Sequence, residues 1–256
     1  MHWLPILWSF ALQLSLYSIA FGYQIDQSCV KEGIADAVHE AMESAIGMAD
    51  AAYDRLTAEP RHATTLDLVA KLFARPGQNP VDAITDKTVD VLYAIRQNYR
   101  NEVPRGTPVG LDDILCPWFV DWIAKRKFKT QHAVVGNIGK FLTRFSGRSR
   151  FSFAQIDSFN LLDKVLLHEM THGRAAYSKF DTEDDPVEGL KDVLLPGGYT
   201  GMNIINAPAF GWAMARKLAE KGGPLRKATG ADNNADTLAL FGSSTYSPLQ
   251  ELGGSN

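Results

Sequence analysis

The stretch LLDKVLLHEMTHGRAAY, residues 161–177, sets two histidines four positions apart within a run of apolar residues. Four residues are just over one helical turn, so His168 and His172 project from one face, one above the other. Leu161, Leu162, Val165, Leu166 and Met170 supply an apolar face, and Asp157, Ser158 and Asn160 offer N-cap oxygens ahead of it. Such a helix must lay its apolar side on a core and keep two imidazoles on an accessible flank. The spacing is H-E-x-x-H. Neutral imidazoles suit zinc, and Glu169, beside His168, is placed to reach a water on such an ion. Histidine is scarce, six in all, so a chance match arises on the order of once in a hundred chains of this kind. The plainer alternative is a helix that happens to carry two histidines. Two His and one Glu do not complete a zinc site.

The third ligand has three possible sources. A metzincin extension needs Gly at 175 and His at 178, and Ala175 and Ser178 exclude it. A Glu from a later helix leaves Glu188 and Glu220, neither within a recognisable motif. An Asp on the segment after the helix leaves Asp181, Asp184, Asp185 and Asp192.

HEMTH, an Asp-containing loop, the aromatic-Gly pair in AFGWAMARKLA and then NNADTLALF resemble the fungal deuterolysin family of zinc peptidases, the aspzincins. The resemblance covers roughly residues 161–242, and NNADTLALF (233–241) is its most particular part. In that family a G-T-x-x-D-x-x-Y-G loop supplies an Asp ligand and a Tyr that stabilises the reaction intermediate. No such string occurs here: Phe210-Gly211 aligns with the family's Tyr-Gly, and the Asp position then falls on Ala207. The loop over 173–209 is longer than the family's, and LKDVLLPGGYTG within it supplies both residue types. The resemblance thus implies Asp192 as third ligand and Tyr199 as oxyanion donor. Asp192 is preferred for its apolar setting with Leu190, Val193 and Leu194; Asp181, closer to His172 in sequence, is the second choice. Asp236 has two readings. It complements a helix N-terminus, or, as in lysine-directed relatives, it meets a basic substrate side chain. Ala239, where those relatives carry an acid, argues against strict lysine specificity.

The remaining residues fit a secreted enzyme. Residues 1–22 contain no Asp, Glu, Lys or Arg and end in the small-x-small pattern of Ala20 and Gly22, which predicts a signal peptide cut before Tyr23; an uncleaved signal anchor is the alternative. Secretion makes a Cys29–Cys116 disulfide the simplest use of the two cysteines, with two separate thiols as the alternative. A net charge of −3 gives no signal of a nucleic-acid partner; the only basic cluster is KRKFK at 125–129, which reads as a solvated loop or helix end. Ile34, Val38, Met42, Ala45, Ala49, Ala52 and Leu56 recur at helical spacing over 31–56, with His39 on the flank of the stripe. A shorter helix capped by Thr64 or Thr65 runs through Leu66, Val69, Leu72 and Phe73; ARPGQNP breaks the chain; a further helix presents Val89, Leu92 and Ile95. HAVVGNIG and RFSFAQI read as short strands.

The expectation is an α+β, zincin-like single domain over 23–256, with a mainly helical N-terminal half, a small sheet and an active-site helix. It would be a monomeric secreted zinc endopeptidase acting on protein or peptide substrates, with one catalytic Zn2+. His168, His172 and Asp192 would hold the metal, Glu169 and Tyr199 would be catalytic, and Asp236 would face substrate. The alternative is a non-catalytic secreted protein that keeps the scaffold and binds metal or a partner.

Overall fold

A computed structural model describes residues 22–25, 27–31, 33–102, 162–173, 176, 189–196 and 206–246. In chain order these form α1 (Gln27–Lys31), α2 (Ala35–Thr57), α3 (Ala63–Leu72), a 3-10 turn (Pro80–Ala83), α4 (Asp86–Asn98), α5 (Leu162–His172), β1 (Leu194–Pro196), β2 (Asn206–Pro208), α6 (Gly211–Lys221), a second 3-10 turn (Ala231–Asn233) and α7 (Ala235–Thr245). Among the described residues the architecture is helical with one small antiparallel sheet, in which Leu194, Leu195 and Pro196 pair with Pro208, Ala207 and Asn206. Among the described residues no helix is long and apolar enough to cross a membrane. The expected strands at 132–139 and 150–156, the expected caps Asp157, Ser158 and Asn160, Cys116, the basic cluster and most of the leader lie outside the described residues. Cys29, its other expected partner, is buried.

Helix α2 is the central post. Every residue of its predicted stripe is buried, with Val38 the most exposed at 6%. Small residues on that stripe let neighbouring helices approach closely, and α4, α5 and α7 all pack on it. Gly242 of α7 lies so close to α5 that an added Cβ would sit 2.6 Å from Leu167 Cδ2. Phe73, at the end of α3, packs its ring against Phe241 of α7 at 5.7 Å between centroids. Two buried polar contacts fix α5 within this frame. Ser44 Oγ donates to Asp163 Oδ2 at 2.8 Å, and Tyr99 Oη donates to the Met170 carbonyl at 3.3 Å. Buried polar groups persist only when paired, so both contacts select one register of α5 against α2 and α4.

One local expectation is corrected. α3 begins earlier than the Thr64 or Thr65 cap implies: His62 is the N-cap, its Nδ1 accepts from the Thr64 N–H, and Thr65 is buried in the first turn. An imidazole nitrogen accepts the orphan N–H as a hydroxyl would.

A smaller apolar cluster lies beneath the sheet, where Val193 and Leu195 meet Ala209, Met214, Leu218, Ala219 and Ala231. Successive side chains of an extended segment alternate between faces. Val193 and Leu195 are therefore buried, while Asp192 and Leu194 point to the other side, and Leu194 is 51% exposed.

Candidate metal centre

Helix α5 delivers both histidines to one place, as the four-residue spacing requires. Their Nε2 atoms are 3.2 Å apart and their rings meet edge to face. Asp192, twenty residues further along, brings Oδ1 to 3.2 Å from His168 Nε2 and 3.6 Å from His172 Nε2. These three residues form a group able to hold a metal ion. Zinc ligands at ~2.0–2.1 Å in tetrahedral array stand about 3.3–3.4 Å from one another. The observed triangle of donor atoms matches one face of that tetrahedron, and the donor set, two imidazoles and a carboxylate, suits zinc.

The other nitrogen of each ring is held from behind. His172 Nδ1 donates to the Leu190 carbonyl at 2.5 Å. His168 Nδ1 faces Asp236 Oδ1 at 3.5 Å. Such partners fix the tautomer that leaves the Nε2 lone pair for a metal and hold the ring plane steady. Asp236 is itself held: Lys164 Nζ lies 3.1 Å from Oδ1, with both side chains 8% exposed, and the Gly211 N–H donates to Oδ2 at 2.6 Å. Lys164, His168 and His172 are spaced i, i+4 and i+8, so one stripe of α5 carries the whole row.

The electrostatics follow from this geometry. Burial pulls the His168 pKa down, but hydrogen bonds to Asp192 and Asp236, together with their charges, outweigh it and raise the value to about 9. Burial pushes the Asp236 carboxyl up, yet the Lys164 ammonium above all, with His168 and the Gly211 N–H, draws it down to about 2. Asp192 is likewise pulled below its ordinary value: burial opposes, and the two histidines prevail.

The Asp192 segment is tied to α7 by its main chain. The Lys191 N–H donates to the Asn233 carbonyl at 2.8 Å, and the Ala235 N–H donates to the Lys191 carbonyl at 3.0 Å. Asn234, fully buried, accepts from the Val193 N–H at 3.0 Å and donates to the Ala209 carbonyl at 3.1 Å. Gly189 passes so close to the end of α5 that a Cβ there would strike the His172 carbonyl. The Leu190 N–H donates to the Thr171 carbonyl at 3.0 Å, which closes the segment onto α5.

The structure thus brings together His168, His172 and Asp192, with Glu169 half-buried on the same helix. It places Asp236 behind His168 rather than at a substrate surface: its oxygens are engaged by Lys164, Gly211 and His168, and its side chain is 8% exposed. The expected substrate contact is corrected on that ground. Glu220, on α6, pairs with Arg216 at 3.5 Å and is not among the grouped residues. Tyr199, Asp181, Asp184, Asp185 and Glu188 lie outside the described residues. Lys164 and Asn234 were not singled out from the sequence. The signal for Lys164 was its place on the histidine stripe, and for Asn234 its place within NNAD. No protein-family model, no curated protein and no solved structure matches the chain.

Proposed function

We propose that the chain is a secreted zinc-dependent endopeptidase of the aspzincin type. The observation that supports this best is the triangle of His168 Nε2, His172 Nε2 and Asp192 Oδ1, with edges near those of a zinc tetrahedron and with both Nδ1 atoms already facing acceptors. Three protein ligands leave one coordination position for water, which is the pattern of catalytic rather than structural zinc sites.

A zinc ion held there supplies Lewis acidity and lowers the pKa of a water. The residues of the chain do the rest. Glu169, adjacent to His168 on α5, takes the proton of the attacking water and returns it to the leaving amine. Asp192 contributes one negative charge against the neutral imidazoles, so the site keeps net positive character toward a carbonyl oxygen. Tyr199 is proposed as a phenol donor to the developing oxyanion. Leu194, on the same face as Asp192, and Phe210, whose ring stands 5.6 Å from that of His168, leave exposed apolar surface beside the triangle for a substrate side chain. Secretion rests on the uncharged apolar leader of residues 1–22.

Purified mature protein should carry about one zinc per chain. Glu169→Gln should keep the zinc while peptide cleavage falls by roughly 10²–10⁴. Cleavage by that variant at the native rate would refute the mechanism. Zinc binding without cleavage of any peptide pool by the native chain would leave the non-catalytic scaffold in its place.

A further inference from the structure

The reverse side of the Asp192 segment carries a second constellation. Alternation sends Lys191 to the face opposite Asp192. There it lines a cleft of about 240 Å³ together with Gly189, Lys87, Arg226, Lys227, Ala228, Asp232 and Asn233. Three separate elements converge on this cleft: the first turn of α4 through Lys87, the segment at 189–191, and the loop at 222–230 through Arg226 and Lys227. Four cationic side chains face one carboxylate, in a chain whose net charge is −3.

The loop is built rather than loose. The Gly223 N–H donates to the Thr229 carbonyl, the Gly230 N–H to the Lys227 carbonyl, and Asn233 Nδ2 to the Ala228 carbonyl. Arg226 holds a left-handed backbone at φ 62°, which a side chain rarely adopts, and its N–H is anchored on Asp232 Oδ2 at 2.8 Å. Asp232, which also lines the cleft, is 3% exposed, with Oδ2 taken by the Arg226 N–H and Oδ1 buried, and it is one carboxylate against four cations.

Lys87 is placed against its own stability. It is half-buried, it sits in the first turn of α4 beside the positive end of the helix dipole, and Lys191 is a cationic neighbour. Burial lowers its pKa, Asp232 opposes that, and Lys191 adds to the lowering. Its ammonium is nevertheless fixed by a hydrogen bond to Asn233 Oδ1. An anion in the cleft would offset each of these costs at once.

We propose that this cleft is a binding site for a multivalent oxyanion of the phosphate class, separate from the metal centre and on the opposite face of the same segment. Two sources share that chemistry, free phosphate and a phosphate ester on a larger molecule.

The test is calorimetric titration of the full mature chain with inorganic phosphate, and separately with a phosphoserine peptide, at about 0.15 M ionic strength. Saturable one-site binding of phosphate with Kd below ~1 mM is expected, weakened at least about tenfold by Lys191→Gln and by Lys227→Gln and unchanged by Lys71→Gln, which lies outside the cleft. Tighter binding of the peptide than of phosphate would assign the ester as ligand; equal or weaker binding would assign the free ion. Absence of saturable binding, or equal loss with Lys71→Gln, would overturn the proposal. Lys227→Gln alters an exposed loop residue and so reports on binding even if Lys191→Gln folds poorly. None of these readouts depends on zinc or on peptide cleavage, so failure of the metal centre would leave the result interpretable.

Discussion

Asp236 shows how far one carboxylate can organise a site from behind one of its histidines. It is buried, it neutralises the buried Lys164 ammonium, it caps the Gly211 N–H, and it stands behind His168. Asp236→Asn would leave Lys164 as an uncompensated buried charge, at a cost of about 3–5 kcal/mol. It would also lower zinc affinity by about 10–100-fold, because one amide oxygen in place of two carboxylate oxygens cannot serve Lys164, the Gly211 N–H and His168 together, and the His168 ring is held less firmly. Urea denaturation and chelator competition measure the two effects separately. The proton on His168 gives a pH signature. Its folded pKa of about 9 lies above the unfolded 6.5, so in the metal-free chain this stabilisation is full below pH 6.5 and is lost as pH rises through about 9. Metal must displace that proton, so apparent zinc affinity should fall about tenfold for each pH unit below about 9. Competition assays at several pH values would show this slope; an affinity flat across neutral pH would contradict it. At this scale local spacing alone placed His168 and His172 on one face of a helix, as the structure has them. The sequence misplaced Asp236, because a carboxylate at a helix start looks the same whether it faces solvent, substrate or a buried lysine.

The N-terminus of α7 is the element that assembles the centre. Asn233, Asn234 and Ala235 take up the main chain around Asp192, while Asp236 meets α5. Asn234→Ala should cost about 2–4 kcal/mol, since the Val193 N–H and the Ala209 C=O would both be buried without partners. Asn234→Asp should not restore the loss: a carboxylate accepts from Val193 but cannot donate to Ala209. Thermal unfolding would measure both, and chelator competition would show weakened zinc binding in each. Where α7 crosses α5, Gly242→Ala should destabilise by about 1–3 kcal/mol by driving a methyl group into Leu167. Helices α2 and α4 were legible because their apolar residues repeat at the helical period, and every predicted position on the α2 stripe is buried. The strands were not. β1 and β2 are three residues each and both contain proline, so no alternation long enough to read survives in them.

Over the whole molecule, the candidate metal centre joins segments far apart in the chain. α5 packs on α2, α7 packs on both, and Asp192 stands beside the histidines on a segment that both α7 and the end of α5 hold in place. Zinc bound across these pieces should stabilise the fold by about 4 kcal/mol at a thousandfold excess over Kd, and its removal by a chelator should lower the Tm by roughly 10 °C. An unchanged Tm after full chelation would mean that no ion links them. The sequence by itself determined the helical frame and the paired histidines, since both depend on residues within one turn of each other. It narrowed the third donor to a few aspartates and could go no further. The tertiary structure decided the rest: it set Asp192 beside the histidines, moved Asp236 from the substrate side to the back of His168, and gathered four cations from three elements on the reverse face. Each of these depends on the distance between side chains whose separation along the chain carries no information about their separation in space.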